Sequence, residues 1–170
     1  IILALVGGGI FALTRNNREE QPQPEKQPQK KRISMPTNVI DPSEAPYLQI
    51  QPLADGRNIT ISVDNLKKPA DLMEYELEYQ AGSLLQGAFG EIELADLPAS
   101  TKILLGTCSA GGACTYHEDV KGGTLLAKFI GEDDYALKQG WRYYENQTGE
   151  TEFGAKDAKF LITSEDLAND

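Results

Sequence analysis

Glu74-Tyr75-Glu76-Leu77-Glu78-Tyr79 is the stretch that decides the fold. Apolar and charged side chains alternate through it without a break. In an extended strand successive side chains point to opposite faces, so Tyr75, Leu77 and Tyr79 share one face and the three glutamates the other. A helix would scatter the same residues around its circumference. The period predicts a half-buried β-strand with the aromatic face inward.

Working outward, the same period recurs. Asn58-Ile59-Thr60-Ile61-Ser62-Val63 puts Ile59, Ile61 and Val63 on one face. Tyr47–Gln51 alternates and stops at Pro52, and Asp55-Gly56 between the two runs marks a turn, since both residues tolerate positive φ. Further strands are expected at Gly90–Leu94, Lys102–Gly106, Thr124–Ile130, Gly140–Glu145 and Lys159–Thr163. Gly82, Gly87–Gly90, Gly111-Gly112, Gly122-Gly123 and Asn146–Gly149 are read as the punctuation between them. No stretch of ten or more residues carries a helical period; 64–73 and 164–167 are expected to form short turns. The fold class is therefore all-β, an antiparallel β-sandwich of about seven to nine strands over residues 41–170.

The Ile59–Val63 strand, the Tyr75–Tyr79 strand and a later aromatic strand at Trp141–Tyr144 give the region 45–163 a pattern that resembles the immunoglobulin or fibronectin type III architecture. That resemblance implies two packed sheets and carries no activity with it. An inter-sheet disulfide of antibody type is absent from the pattern, because the two cysteines lie close together in sequence.

The N-terminal segments have a different character. Residues 1–13, IILALVGGGIFAL, hold no charge. A bilayer span needs about 20 apolar residues. The run opens on Ile rather than Met and is followed by Thr14-Arg15-Asn16-Asn17-Arg18 instead of a small-residue cleavage site. It is read as the C-terminal part of a truncated, uncleaved transmembrane helix. Residues 14–40 include Gln21-Pro22-Gln23-Pro24-Glu25-Lys26-Gln27-Pro28-Gln29, which has no aliphatic or aromatic side chain to bury. Such a stretch cannot offset its ordering entropy and is expected to be a disordered stalk extending about 3.1 Å per residue.

Charge divides along the chain, which carries a net −10 overall. Residues 14–40 carry six Lys/Arg against three Asp/Glu; residues 41–170 carry ten against twenty-three. A pI near 4.6 excludes a nucleic-acid partner, which needs a basic face to displace counterions. The basic stretch beside the apolar run suits anionic headgroups.

Two cysteines and one histidine exclude a four-ligand zinc site of Cys and His within one chain. Cys108 and Cys114 bracket Ser109-Ala110-Gly111-Gly112-Ala113, a loop short and glycine-rich enough to bring them within disulfide reach. Their expected role is a hairpin disulfide, which points to an oxidising compartment. The alternative is a reactive Cys108 with His117 as its base, but the surrounding sequence matches neither a nucleophile elbow nor a Cys-x-x-Cys redox pair. Glu132, Asp133 and Asp134 are a candidate for calcium, without the spacing of an EF-hand. Trp141 and Tyr144 are the candidate platform for a sugar ring or partner protein, against the plainer reading of Trp141 and Tyr143 as core. Asn58-Ile59-Thr60 and Asn146-Gln147-Thr148 match the glycosylation pattern.

These readings converge on a single-pass membrane protein whose C-terminal domain lies outside the cytoplasm. It is expected to be non-catalytic and cofactor-free, a binding or structural module of the cell envelope with an envelope protein or carbohydrate as partner. The alternatives are a subunit of a larger envelope, secretion or pilus assembly, and a membrane-tethered envelope enzyme using Cys108 with His117 or paired carboxylates.

Overall fold

The computed structural model describes residues 32–144, 152–156 and 158–163, all within a compact unit that runs from Arg32 to Asp170. The expected transmembrane segment 1–13, the linker up to residue 31, the Asn146 sequon and the 164–167 turn lie outside the described residues. Among the described residues no helix is long and apolar enough to cross a membrane. All strand pairing is antiparallel.

A short 3-10 turn, Pro42–Glu44, opens the fold, with the Asp41 carboxylate accepting from the Ser43 amide at 2.8 Å. The strands are β1 Tyr47–Pro52, β2 Asn58–Asn65, β3 Leu72–Ala81, β4 Leu84–Glu93, β5 Ala99–Leu104, β6 Gly106–Cys108, β7 Cys114–Tyr116, β8 Val120–Ile130, β9 Tyr135–Arg142, β10 Glu152–Gly154 and β11 Leu161–Thr163. One sheet has the order β1-β2-β5 and the other β4-β3-β8-β9; β6-β7 and β10-β11 are separate hairpins.

The two larger sheets share one core. Ile59, Ile61 and Val63 of β2 and Ile103 of β5 meet Met73, Tyr75, Leu77 and Tyr79 of β3 and Leu125, Ala127 and Phe129 of β8 in a single buried cluster. Each is an alternate residue of its strand, as the period requires. Phe129 and Tyr135 stack at the β8–β9 turn with ring centroids 4.8 Å apart. A fully buried side chain of this size contributes roughly 1.5–3 kcal/mol by the area it removes from water.

The structure moves several expected boundaries. β4 begins at Leu84 and runs through Gly87 and Gly90, which the sequence reading treated as breaks. Gly90 has a packing reason: it pairs with Tyr75, and a Cβ there would stand 2.5 Å from the Tyr75 hydroxyl. The tyrosine ring lies across the strand where a side chain is missing. The final aromatic strand lies earlier than expected, at Tyr135–Arg142, because Gly131–Asp134 makes the turn. Only the Gly82-Ser83 pair links β3 to β4, and Gly82 takes φ +54 as such tight loops demand.

Gly123 is the tightest point of the sheet. It pairs with Tyr79 on one side and Trp141 on the other, and a Cβ there would overlap the Glu78 carbonyl. Gly111, at the tip of the disulfide hairpin, meets nothing closer than the Ser109 hydroxyl at 3.8 Å. Gly123→Ala is expected to cost about 1–3 kcal/mol or more through overpacking. Gly111→Ala stays within about 0.5 kcal/mol of the parent in urea unfolding. Equal midpoints for the two variants would contradict this register.

Candidate functional site

The β6–β7 hairpin places Cys108 directly opposite Cys114, with Cα atoms 4.0 Å apart, and the two form a disulfide. The loop between them closes with Ser109 N–H donating to the Ala113 carbonyl at 2.8 Å and Gly112 N–H to the Ser109 carbonyl at 2.9 Å. Both cysteines are exposed. With the bond closed there is no thiolate to serve as a nucleophile.

His117 follows β7 and turns inward. Its backbone N–H donates to the Leu105 carbonyl at 2.9 Å, and its Nδ1 shares a 2.9 Å hydrogen bond with the Tyr79 hydroxyl. Burial raises the Tyr79 pKa above its ordinary value, which keeps the phenol neutral. The Tyr79 ring in turn packs against Trp141 at 6.4 Å between centroids. The histidine therefore ties the disulfide hairpin to the core through a tyrosine. On the surface beside it, the Arg57 guanidinium stands 4.3 Å over the Tyr116 ring. The Asp55 carboxylate holds the β1–β2 turn. It accepts from the Arg57 and Asn58 amides and from the Asn58 side chain, and these bonds, the Arg57 amide first, lower its pKa. Asn58 of the first sequon is thus engaged with Asp55.

The candidate platform residues separate. Trp141 is buried at 8% exposure, and its Nε1 has no hydrogen-bond partner among the described residues. Tyr144 sits on the surface as a clamp: its hydroxyl donates to the Gly154 carbonyl at 2.8 Å and accepts from the Gly154 amide at 3.1 Å, and its ring meets Phe153 edge-on. The structure does not bring the two onto one exposed face.

The acidic turn is spent on lysines. Asp134 pairs with Lys128 at 2.9 Å and accepts from the Gly131 amide, and the Lys128 hydrogen bond lowers its pKa. Asp133 faces Lys68 at 3.9 Å. Glu132 is exposed beside them. Among the described residues no three His, Cys, Asp or Glu side chains converge to hold a metal ion.

The arrangement that the sequence reading missed lies on the outer face of the four-stranded sheet. Cross-strand register sets Glu76 beside Leu126 and Leu126 beside Lys138, while Glu78 sits beside Thr124. A segment of chain crosses this face. Arg32 pairs with Glu78 at 2.9 Å, and the Ile33 amide donates to the Glu76 carboxylate at 2.7 Å. Between segment and sheet is a cleft of about 180 Å³ lined by Arg32, Ile33, Glu76, Glu78, Thr124, Leu126 and Lys138. Asn38 then binds the edge of β9. Its backbone N–H donates to the Ala136 carbonyl at 2.9 Å, its side-chain amide donates to the Lys138 carbonyl at 3.0 Å, and its side-chain carbonyl accepts from the Lys138 amide at 2.9 Å. The side-chain amide thereby imitates a neighbouring strand, and Asn38 adopts φ +59 to do so. Residues 32–40 fall in the segment that the sequence reading assigns to the stalk. The return of Ile33, Met35, Val39 and Ile40 after the Gln/Pro run was the available signal.

No protein-family model matches the chain, and no curated protein or solved structure matches it either.

Tyr135 supplies a titration that reports on the packed end of β9. Its hydroxyl donates to the Lys68 carbonyl at 3.3 Å, and burial pushes its pKa from 10.0 up to about 12. Above pH 10 the unfolded chain loses this proton and the folded chain keeps it, so stability falls as pH rises from 10 towards 12. Urea midpoints are expected to fall between about pH 9 and pH 11 through this linkage, and the fall to be smaller in Tyr135→Phe. An equal fall in both proteins would remove Tyr135 as its source.

Proposed function

We propose that this chain is a non-catalytic binding or structural module of the cell envelope. A membrane helix at residues 1–13 anchors it, and a Pro/Gln-rich stalk holds the domain outside the cytoplasm. The exposed Cys108–Cys114 disulfide carries this reading. An accessible disulfide on a short surface hairpin persists in an oxidising compartment and is reduced in a cytoplasm rich in small thiols.

The strand order supports an immunoglobulin or fibronectin type III-like sandwich. Leaving aside the disulfide hairpin, β1, β2, β3, β4, β5, β8 and β9 can be lettered A, B, C, C′, E, F and G. The two sheets then read A-B-E and C′-C-F-G, the immunoglobulin division with C′ joined to the G-F-C sheet and no D strand. Sandwiches of this kind carry many cell-surface interactions, so the fold fits the proposal without assigning a ligand. His117, the candidate base, binds Tyr79, and Asp134 of the candidate calcium cluster binds Lys128. The Cys108/His117 form of an envelope enzyme has no thiol while the disulfide is closed. A protein is the favoured partner class, because Leu84 and Leu85 both stand exposed where β4 begins. The same leucines favour the reading as a subunit of a larger envelope, secretion or pilus assembly.

Right-side-out membrane vesicles carrying the full chain test the proposal. With a membrane-impermeant alkylating reagent, neither cysteine is expected to react until an impermeant phosphine reductant is added, after which both are labelled. Two labels without reductant, or labelling only after the membrane is permeabilised, would overturn the extracytoplasmic assignment.

A further inference from the structure

We propose that residues Arg32–Asn38 are a two-ended latch over the outer face of the four-stranded sheet, with one end that releases under changes of charge and one that does not. The two ends are chemically unlike. At the first, the Arg32 guanidinium meets Glu78 and the Ile33 amide meets Glu76, both contacts to carboxylates. The Arg32 side chain is 80% exposed and that of Glu78 41%. Exposed ion pairs are weak and are screened by salt, with a Debye length of about 10 Å at 0.1 M. At the second end, Asn38 makes three hydrogen bonds to neutral backbone groups of Ala136 and Lys138. Salt screens these little. They also satisfy the outward-facing groups of an edge strand, which would otherwise be open to pairing with another chain.

Four residues, Ser34–Thr37, join the two ends. Arg32 and Ile33 line the cleft over Thr124 and Leu126 of β8, while Met35 and Pro36 of the joining span stand beside Asp134, Tyr135 and Ala136. Release of the Arg32 end uncovers that part of the sheet and frees the Glu76 and Glu78 carboxylates. Asn38 meanwhile keeps the β9 edge closed and the chain registered on the domain. The latch thus separates access to the sheet face from protection of the sheet edge. It does not depend on the membrane assignment, since its contacts lie wholly within the folded unit.

Residue-resolved hydrogen exchange on the full chain tests the two ends separately. Ile33 N–H reports the charged end and Lys138 N–H the neutral end; Leu77 N–H in β3 reports global opening. Raising the salt from about 0.05 M to about 0.5 M is expected to speed Ile33 exchange several-fold. Lys138 and Leu77 exchange stays unchanged. In Glu76→Gln/Glu78→Gln, Ile33 exchanges about tenfold faster at low salt, the equivalent of losing one charge-assisted hydrogen bond. Its salt dependence disappears in that variant. Asn38→Ala speeds Lys138 and leaves Leu77 alone. Ile33 exchanging at the rate of a free peptide at low salt would show that no latch closes. Ile33, Lys138 and Leu77 exchanging together in every variant would show that the segment opens only with the whole domain. Either result overturns the proposal.

Discussion

Everything in this domain depends on the inner row of β3. Tyr75, Leu77 and Tyr79 are buried against β2 across the sandwich, and their strand is hydrogen-bonded to β4 on one side and β8 on the other. Removing that row would strip the partner surface from Ile59, Ile61 and Val63 at the same time. Its outer face is equally committed, since Glu76 and Glu78 receive the 32–33 segment. The close approach at Gly90 makes room for the Tyr75 ring, and that at Gly123 for the β3 backbone at Glu78 and Tyr79. Tyr79 then extends the row to His117 and Trp141, so the disulfide hairpin and the last long strand are positioned by the same residue.

What the sequence made legible is what period alone controls. β2 and β3 alternate cleanly, and their buried residues were readable one by one. The pairing of Cys108 with Cys114 was readable because a five-residue loop leaves few other geometries. β4 was harder. Its glycines break any local strand pattern, and only the Tyr75 ring from the neighbouring strand explains Gly90. Tyr135 and Ala136 belong to β9 because Gly131–Asp134 closes a turn pinned by Lys128 and the Gly131 amide, a pairing that alternation of apolar and polar residues does not reveal. The 32–40 segment contains proline and no strand period, so it was grouped with the Gln/Pro run before it despite its apolar residues. Its order comes from specific bonds to Glu76, Glu78 and Lys138, which lie 43 to 100 residues away in sequence. The period puts the glutamates on the face away from the core, and it carries no sign that two of them, Glu76 and Glu78, receive that segment.

The candidate site residues divide on the same physical line. Cysteine, histidine, tryptophan and aspartate in this chain all drew attention as chemistry-bearing side chains. In the fold each is engaged with a neighbour or buried. The cysteines clip a hairpin, His117 links it to a buried phenol, Trp141 fills the core, and Asp134 anchors a turn through Lys128. Residues 41–170 carry thirteen more acidic than basic side chains. A net negative charge of that size repels other anionic surfaces. Among the features that face outward are the polar cleft beneath the Arg32 segment and Leu84 and Leu85 at the start of β4.

The central claim is that one core, organised by β3, is shared by both sheets. Native-state hydrogen exchange across the urea transition tests it most directly. The account predicts that the slowest amides of β2, β3 and β8 converge on a single opening free energy, equal to that of global unfolding. Amides of β2 and β5 that open at a distinctly lower free energy than those of β3 and β8, with no crossover at any urea concentration, would contradict it. The two sheets would then be separate cooperative units.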